Sequence, residues 1–161
     1  MNNSKKIRLT KQGFEALQAE LIELENIKRP KLVERLSYAR SQGDLSENSD
    51  YTNAKEELEF LDGRISELGE VLKTAKVVDD KKAANGKSLG VDVGKKVTVS
   101  VGGGKHIFEI VGEWEADPAS KKISHESPLG LALMGKKVGD EVEVEAPAGK
   151  IIYEILKIDH A

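Results

Sequence analysis

From Tyr51 onward, apolar or small residues fall at Tyr51, Ala54, Leu58, Leu61, Ile65, Leu68, Leu72 and Ala75, so that spacings of three and four alternate without a break. That rhythm predicts a helix with a coiled-coil seam. The preceding stretch carries the same rhythm at Phe14, Leu17, Leu21 and Leu24, loses it around Lys28-Arg29-Pro30, and recovers it at Leu32, Leu36 and Ala39. It reads as a partner helix interrupted once. Pro30 has no backbone N–H and disfavours helical geometry at Arg29, so a bend or a local widening of the pair is expected there. Thr10 is the expected N-cap and Gly43 the expected helix stop.

Two helices joined by a few residues around Gly43 to Ser46 must fold back on each other as an antiparallel hairpin. At 1.5 Å per residue, arms of about 30 residues give a rod roughly 45 Å long and roughly 20 Å across. Such a rod buries one stripe per helix, so its length points to reach rather than to stability. After Lys76 the segment VVDDKKAANGKSLG lacks periodicity and reads as a linker over 77–91. Alternation of period two then appears in KKVTVSV (Lys95 to Val101) and HIFEIV (His106 to Val111), with a glycine turn between them. It recurs in DEVEVE (Asp140 to Glu145) and from Ile151 to Ile158. These segments predict a small, mainly antiparallel sheet over residues 92–161. SPLGLALMG, from Ser127 to Gly135, predicts a short helix whose Leu129, Leu131 and Leu133 cover one sheet face. The expected class is α+β, with a coiled-coil hairpin at 1–76, a linker, and a compact sheet domain.

Of the 161 residues, 39% are apolar and 33% charged, with a formal net charge of −3, which fits a folded chain and excludes a polybasic nucleic-acid binder. Any nucleic-acid contact must be local. The absence of cysteine removes disulfide scaffolds and thiolate metal sites. No apolar run approaches the roughly 20 residues of a membrane span, so a cytoplasmic protein without a membrane partner is expected.

The chemistry concentrates in GDLSENSDY, Gly43 to Tyr51, where Asp44, Glu47 and Asp50 crowd the hairpin turn. Acids at a helix start cap backbone amides and favour the positive end of the helix dipole, which is the simplest account of them. Asp44, however, precedes the second helix by several residues, and capping by Glu47 or Asn48 does not explain it. A tight turn forms no water-excluding pocket, and two or three exposed carboxylates hold Mg²⁺ weakly, so an autonomous hydrolase is disfavoured. Carboxylates on a probe can instead complete a metal centre that belongs to another macromolecule. GGGK at Gly102 to Lys105 and NGKS at Asn85 to Ser88 lack the glycine that a nucleotide-binding loop requires. His106, His125 and His160 have no metal-ligand spacing. Trp114, the sole tryptophan, reads as packing, and Arg40 and Lys55 as charges flanking the turn.

The motifs LTKQGFEALQAEL from Leu9, Arg29-Pro30, AR..GDLSENSDY from Ala39 to Tyr51, GRI at Gly63 to Ile65, and ISHESPLGLALMGKKVGDEVEVEAPAG from Ile123 occur in one order along nearly the whole chain. In them the sequence resembles the bacterial transcript cleavage factors of the Gre family. The resemblance implies an FKBP-like C-terminal domain that docks at the rim of the RNA polymerase secondary channel, without isomerase activity. It also implies a coiled coil that enters the channel and stimulates the polymerase's own cleavage of backtracked RNA. Such a protein is not itself an enzyme and has no cofactor of its own. By position, Asp44 and Glu47 become the tip acids that help hold a Mg²⁺ shared with the polymerase active site. Arg40 and Lys55 become contacts to the extruded RNA 3′ end or the channel wall, and Ser127 and Pro128 docking residues. A monomer is expected. Where the family commonly has NAEY, this chain has Asn48-Ser49-Asp50-Tyr51, which leaves the role of Asp50 open. Leu45, together with the lack of a strong positive patch on the rod, favours the GreA type over the GreB type, with short cleavage products. A non-cleaving regulator that blocks the channel is the alternative, and retention of both Asp44 and Glu47 argues against it.

Overall fold

A computed structural model describes residues 6–44, 47–78 and 90–160. Contacts divide the chain into two compact units, Met1–Phe14 with Ala75–Ala161, and Glu15–Thr74.

In the helical unit, α1 (Lys11–Glu23) passes through a π-helical turn (Leu24–Lys28) into α2 (Arg29–Ser41), and α3 (Ser49–Thr74) returns. Cross-helix partners show the antiparallel sense. As numbers rise along α1 and α2 they fall along α3: Glu20 meets Arg64 at 3.1 Å, Arg29 meets Asp62 at 2.7 Å, and Arg35 meets Asp50 at 2.7 Å. Of the predicted seam, Ala54 and Leu68 are buried on α3 and Leu17, Leu24 and Ala39 opposite, whereas near the end of α3 the buried residue is Val71, with the expected Leu72 only half-buried.

The expected interruption at Pro30 takes the form of the π turn. The Arg29 N–H, which an α-helix would direct to residue 25, bonds instead to the Leu24 carbonyl, so one extra residue is accommodated just before the proline that cannot donate. An insertion of one residue also restores the phase of the seam, because Leu24 and Leu32 lie one position further apart than a heptad allows.

In the other unit, five strands lie in the order β5-β4-β3-β7-β6, with β3 (Lys95–Val101), β4 (Gly104–Val111), β5 (Lys122–Ser124), β6 (Glu141–Ala146) and β7 (Gly149–His160). The four predicted strands pair antiparallel, and β5 adds a parallel edge to β4, so the sheet is mixed. β5 is three residues long, too short for alternation to announce it. The inner positions Val97, Val99, Ile110, Val142 and Ile155 form the core with Val91, Val93 and Leu133.

The predicted helix forms as α4 (Pro128–Leu133), with Leu133 fully buried and Leu129 packed on the core. Leu131 does not cover the sheet and is 64% exposed. Residues two apart on a helix diverge by about 200°, so only the i, i+4 pair shares a face.

Two short strands escape a reading based on periodicity: β1 (Arg8–Thr10) and β2 (Lys76–Val78) pair in parallel, in the register Arg8↔Lys76 to Thr10↔Val78. Residues 8–10 thus pack with the sheet unit, whereas the sequence division grouped them with the hairpin. Thr10 caps α1 as expected, its Oγ1 accepting from the Gly13 N–H at 3.0 Å. The Glu115 carboxylate in turn accepts from the Thr10 backbone N–H at 2.9 Å and from the Thr10 hydroxyl. Most of the expected linker, residues 79–89, lies outside the described residues, and Val91 at its end is core, 2% exposed.

Candidate functional site

The turn between α2 and α3 is built around one carbonyl. α2 ends at Ser41, and the N–H of Gln42 bonds to the Ala39 carbonyl at 3.2 Å. Gly43 follows with φ +145°, a conformation that side-chain-bearing residues rarely adopt, and it stops the helix as predicted. At the far side of the turn, the Asn48 side-chain amide donates to the same Ala39 carbonyl at 2.6 Å, while its Oδ1 accepts from the Tyr51 N–H at 3.0 Å. Asn48 is therefore the N-cap of α3 and also a tie to the end of α2. Ala39 and Ala54, 2% and 0% exposed, allow the two helices to close up just below the turn.

Between these anchors, Asp44 and Glu47 are both exposed. Leu45 and Ser46 lie outside the described residues, so the type assignment drawn from Leu45 has no structural counterpart here. Asp50 behaves differently from the other two acids. It sits in the first turn of α3, and its Oδ1 accepts from Arg35 Nη2 at 2.7 Å and Nε at 3.2 Å. Arg35 Nη1 reaches on to both oxygens of Glu57 at 3.1 Å, bridging two turns of α3. The hydrogen bond to Asp50, and after it that to Glu57, pushes the Arg35 pKa above its ordinary value. Asp50 and Glu57 are thereby engaged within the hairpin. Asp44 and Glu47 are thus the carboxylates of the turn that this arginine leaves alone.

Arg40 and Lys55 are exposed on the last turn of α2 and the second turn of α3, and no hydrogen bond or ion pair engages either among the described residues. The larger grooves of the hairpin lie elsewhere. One of roughly 630 Å³ and another of roughly 780 Å³ flank Phe60, which is 81% exposed, and neither tip acid lines them. Among the described residues no group of three or more His, Cys, Asp or Glu is arranged to hold a metal ion. Two carboxylates are hard oxygen donors of the kind Mg²⁺ takes, and two alone fall short of the six-fold set that ion requires.

Ser127 and Pro128 belong to the sheet unit. Ser127 Oγ accepts from the Gly130 N–H at 3.0 Å as the N-cap of α4 and donates to the Ser124 carbonyl at 2.7 Å, while Pro128 is exposed. Sequence reasoning missed two participants in these regions. Arg35 withdraws Asp50, and its signal was an arginine on α2 facing acids spaced one heptad apart on α3. Leu131 stands exposed three residues after Pro128, and an i, i+3 helical reading of PLGL would have placed both on one side.

The family model described as "Transcription elongation factor, N-terminal" matches residues 7–77, and that described as "Transcription elongation factor, GreA/GreB, C-term" matches residues 87–160. The chain is 46% identical over 153 residues to the transcription elongation factor GreA of Lactococcus lactis subsp. cremoris, covering 94% of this chain and 96% of that protein. It is 42% identical over 160 residues to the GreA of Bacillus subtilis, covering 98% and 99%. Among solved structures, the GreA factor homolog 1 protein of Thermus thermophilus matches at 26% identity and a TM-score of 0.44, over 96% of this chain and 99% of that one.

Proposed function

Because the chain belongs to the GreA/GreB family of transcription elongation factors, we propose that it enters the secondary channel of RNA polymerase and stimulates the polymerase's own endonucleolytic cleavage of backtracked RNA. The observation that carries this reading is the division of labour at the hairpin turn: Arg35 holds Asp50, while Asp44 and Glu47 stand exposed at a turn tied at both ends. Asp44 and Glu47 are the residues that would hold a Mg²⁺ jointly with ligands of the polymerase. That ion supplies charge stabilisation for the leaving oxygen and lowers the pKa of water.

The chain's own part is positional. In phosphodiester hydrolysis a water oxygen attacks phosphorus, the bond to the 3′ oxygen breaks, and the proton lost by water must be accepted. A carboxylate at the turn orients that water and takes its proton within hydrogen-bond reach. Arg40 and Lys55, exposed on either side, supply positive charge toward the extruded RNA 3′ end or the channel wall. Pro128, with Ser127 shaping the turn beneath it, belongs to the docking surface of the sheet unit. In this reading the protein acts as a monomer, is not itself a nuclease, and works beside the polymerase in the cytoplasm. No helix among the described residues is long and apolar enough to cross a membrane.

The test uses stalled, backtracked elongation complexes. Wild-type protein should shorten the RNA from its 3′ end, and Asp44→Ala with Glu47→Ala should lower that stimulation by roughly 100-fold or more while binding persists. Loss of binding in the double variant would move the acids from chemistry to docking. Inhibition of nucleotide addition by the wild type, with no added cleavage at saturating protein, would favour the channel-blocking alternative.

A further inference from the structure

We propose that Asn48 is the positioning residue of the two tip acids, fixing Asp44 and Glu47 through the Ala39 carbonyl without touching metal, water or RNA. The inference rests on the reading of Asp44 and Glu47 given above and deepens it. Its basis is that both ends of the turn converge on one oxygen. The Gln42 N–H reaches the Ala39 carbonyl from the entry side at 3.2 Å, and Asn48 Nδ2 reaches it from the exit side at 2.6 Å. A carbonyl has two lone pairs, and this one uses both to close the loop that carries the acids.

Only a side chain with a donor and an acceptor on one short planar group meets both demands. Asn48 Oδ1 accepts from the Tyr51 N–H at 3.0 Å, which fixes the orientation of the amide, since the flipped form would face oxygen to the Ala39 oxygen and N–H to N–H. An aspartate would cap α3 equally well, but it has no proton for Ala39 and would add a third negative charge beside Asp44 and Glu47. A serine would cap but is too short to span to α2. The preference for asparagine is thus set by the tie to Ala39 rather than by capping, in which Asn, Asp and Ser rank about equally.

The tie matters because it adds directional hydrogen bonds to a turn that the two helices close from below by packing. Ala39 and Ala54 close the helices beneath the turn but present only methyl groups. Asp44 and Glu47 are themselves exposed. Groups that orient a ligand from behind typically change metal affinity or activity by about 10–100-fold when removed.

The experiment uses two full-length variants, Asn48→Ser, neutral and still able to cap, and Asn48→Asp, of equal length and still able to cap. Cleavage of backtracked complexes is measured at saturating factor across a Mg²⁺ series, and polymerase binding by competition. Backbone ¹⁵N order parameters at Asp44 and Glu47 are measured in the free protein. Both variants should lose about tenfold or more in saturating cleavage, need more Mg²⁺ for half-maximal rate, and bind polymerase within twofold of wild type. The order parameters should fall toward the range below about 0.6 that marks a flexible backbone. A loss confined to Asn48→Asp would assign the effect to charge and overturn the proposal, as would order parameters equal to wild type in both variants. If the wild type fails to stimulate cleavage, the functional reading falls, while the order parameters still decide whether Asn48 holds the acids in place.

Discussion

The starts of α3 and α4 are closed by the same device in two settings. Asn48 accepts from the Tyr51 N–H and donates back to Ala39, and Ser127 accepts from the Gly130 N–H and donates back to Ser124. Each side chain caps the helix ahead and ties it to the segment behind. Beneath Ser127 lie Gly130 and the fully buried Leu133, joined to the core of the sheet, so that turn is held by packing as well as by hydrogen bonds. Beneath Asn48 there are two alanine methyls and a single carbonyl. On this comparison a turn on a core should lose its cap and keep its shape, whereas a turn at the end of a hairpin should depend on the cap itself. It also explains where carboxylates can be spared: the tip has exposed acids because no core forbids them.

The largest effect should come from the packed member of the pair. Gly130 has no room for a Cβ, which would run into the Ser124 carbonyl oxygen. Gly130→Ala should therefore destabilise the sheet unit by roughly 3 kcal/mol, read by the fluorescence of Trp114 during denaturation, with the helical circular dichroism of the hairpin changed far less. An unchanged midpoint would mean that the turn beneath Ser127 is not fixed by packing. The matching insult at the tip is Ala54→Leu, which adds bulk where α2 and α3 close together. It should cost about 1–3 kcal/mol, less than Gly130→Ala, because the hairpin can splay at its free end. An Ala54→Leu protein as unstable as Gly130→Ala would erase the distinction between the two turns.

How far these features could be read from the chain follows the same division. The hairpin seam was legible along most of α3 because its apolar positions repeat every 3.5 residues, and it slipped near the end, where Val71 and not Leu72 is buried, while the four longer strands were legible because β3, β4, β6 and β7 alternate. The π turn left a trace as well: Leu24 and Leu32 are one residue out of phase, and Pro30 shows where the slip is absorbed. β1, β2 and β5 could not be seen, since three residues contain too little alternation to separate strand from loop. Leu131 was misplaced because a run of alternating leucines resembles a strand pattern until the helix turns it outward. For the site, the tip acids were legible from composition at a turn. The separation of Asp50 from Asp44 and Glu47 was not, because it depends on Arg35 reaching across from α2.

A smaller effect tests the caps directly. Ser127→Ala removes an N-cap acceptor and should cost the sheet unit about 1 kcal/mol, leaving α4 in place because Leu133 still anchors it. The fold of the loop can be followed by the Gly130 amide resonance. Collapse of the core resonances around Leu133 in this variant would show that the cap, and not the packing, holds the turn.

The smallest effect distinguishes neutral caps from a charged one. Asp117 is the N-cap of the short 3₁₀ turn Pro118–Ser120, its Oδ2 accepting from the Ser120 hydroxyl at 2.7 Å and its Oδ1 from the Ala119 N–H at 3.2 Å. The Ser120 hydroxyl, followed by the backbone amides and nearby Lys122, holds this carboxyl below its ordinary value of 3.8 against the opposing influence of burial. With the folded value depressed, the stabilisation is complete above about 3.8 and fades as the pH falls through the lower folded value. Neither the Asn48 amide nor the Ser127 hydroxyl titrates, so the other two caps contribute equally at every acid pH. Asp117→Asn should consequently flatten part of the acid slope of the Trp114-monitored transition, while Ser127→Ala shifts that curve without changing its slope. An Asp117→Asn protein with the wild-type acid slope would show that this cap is as insensitive to protons as the other two.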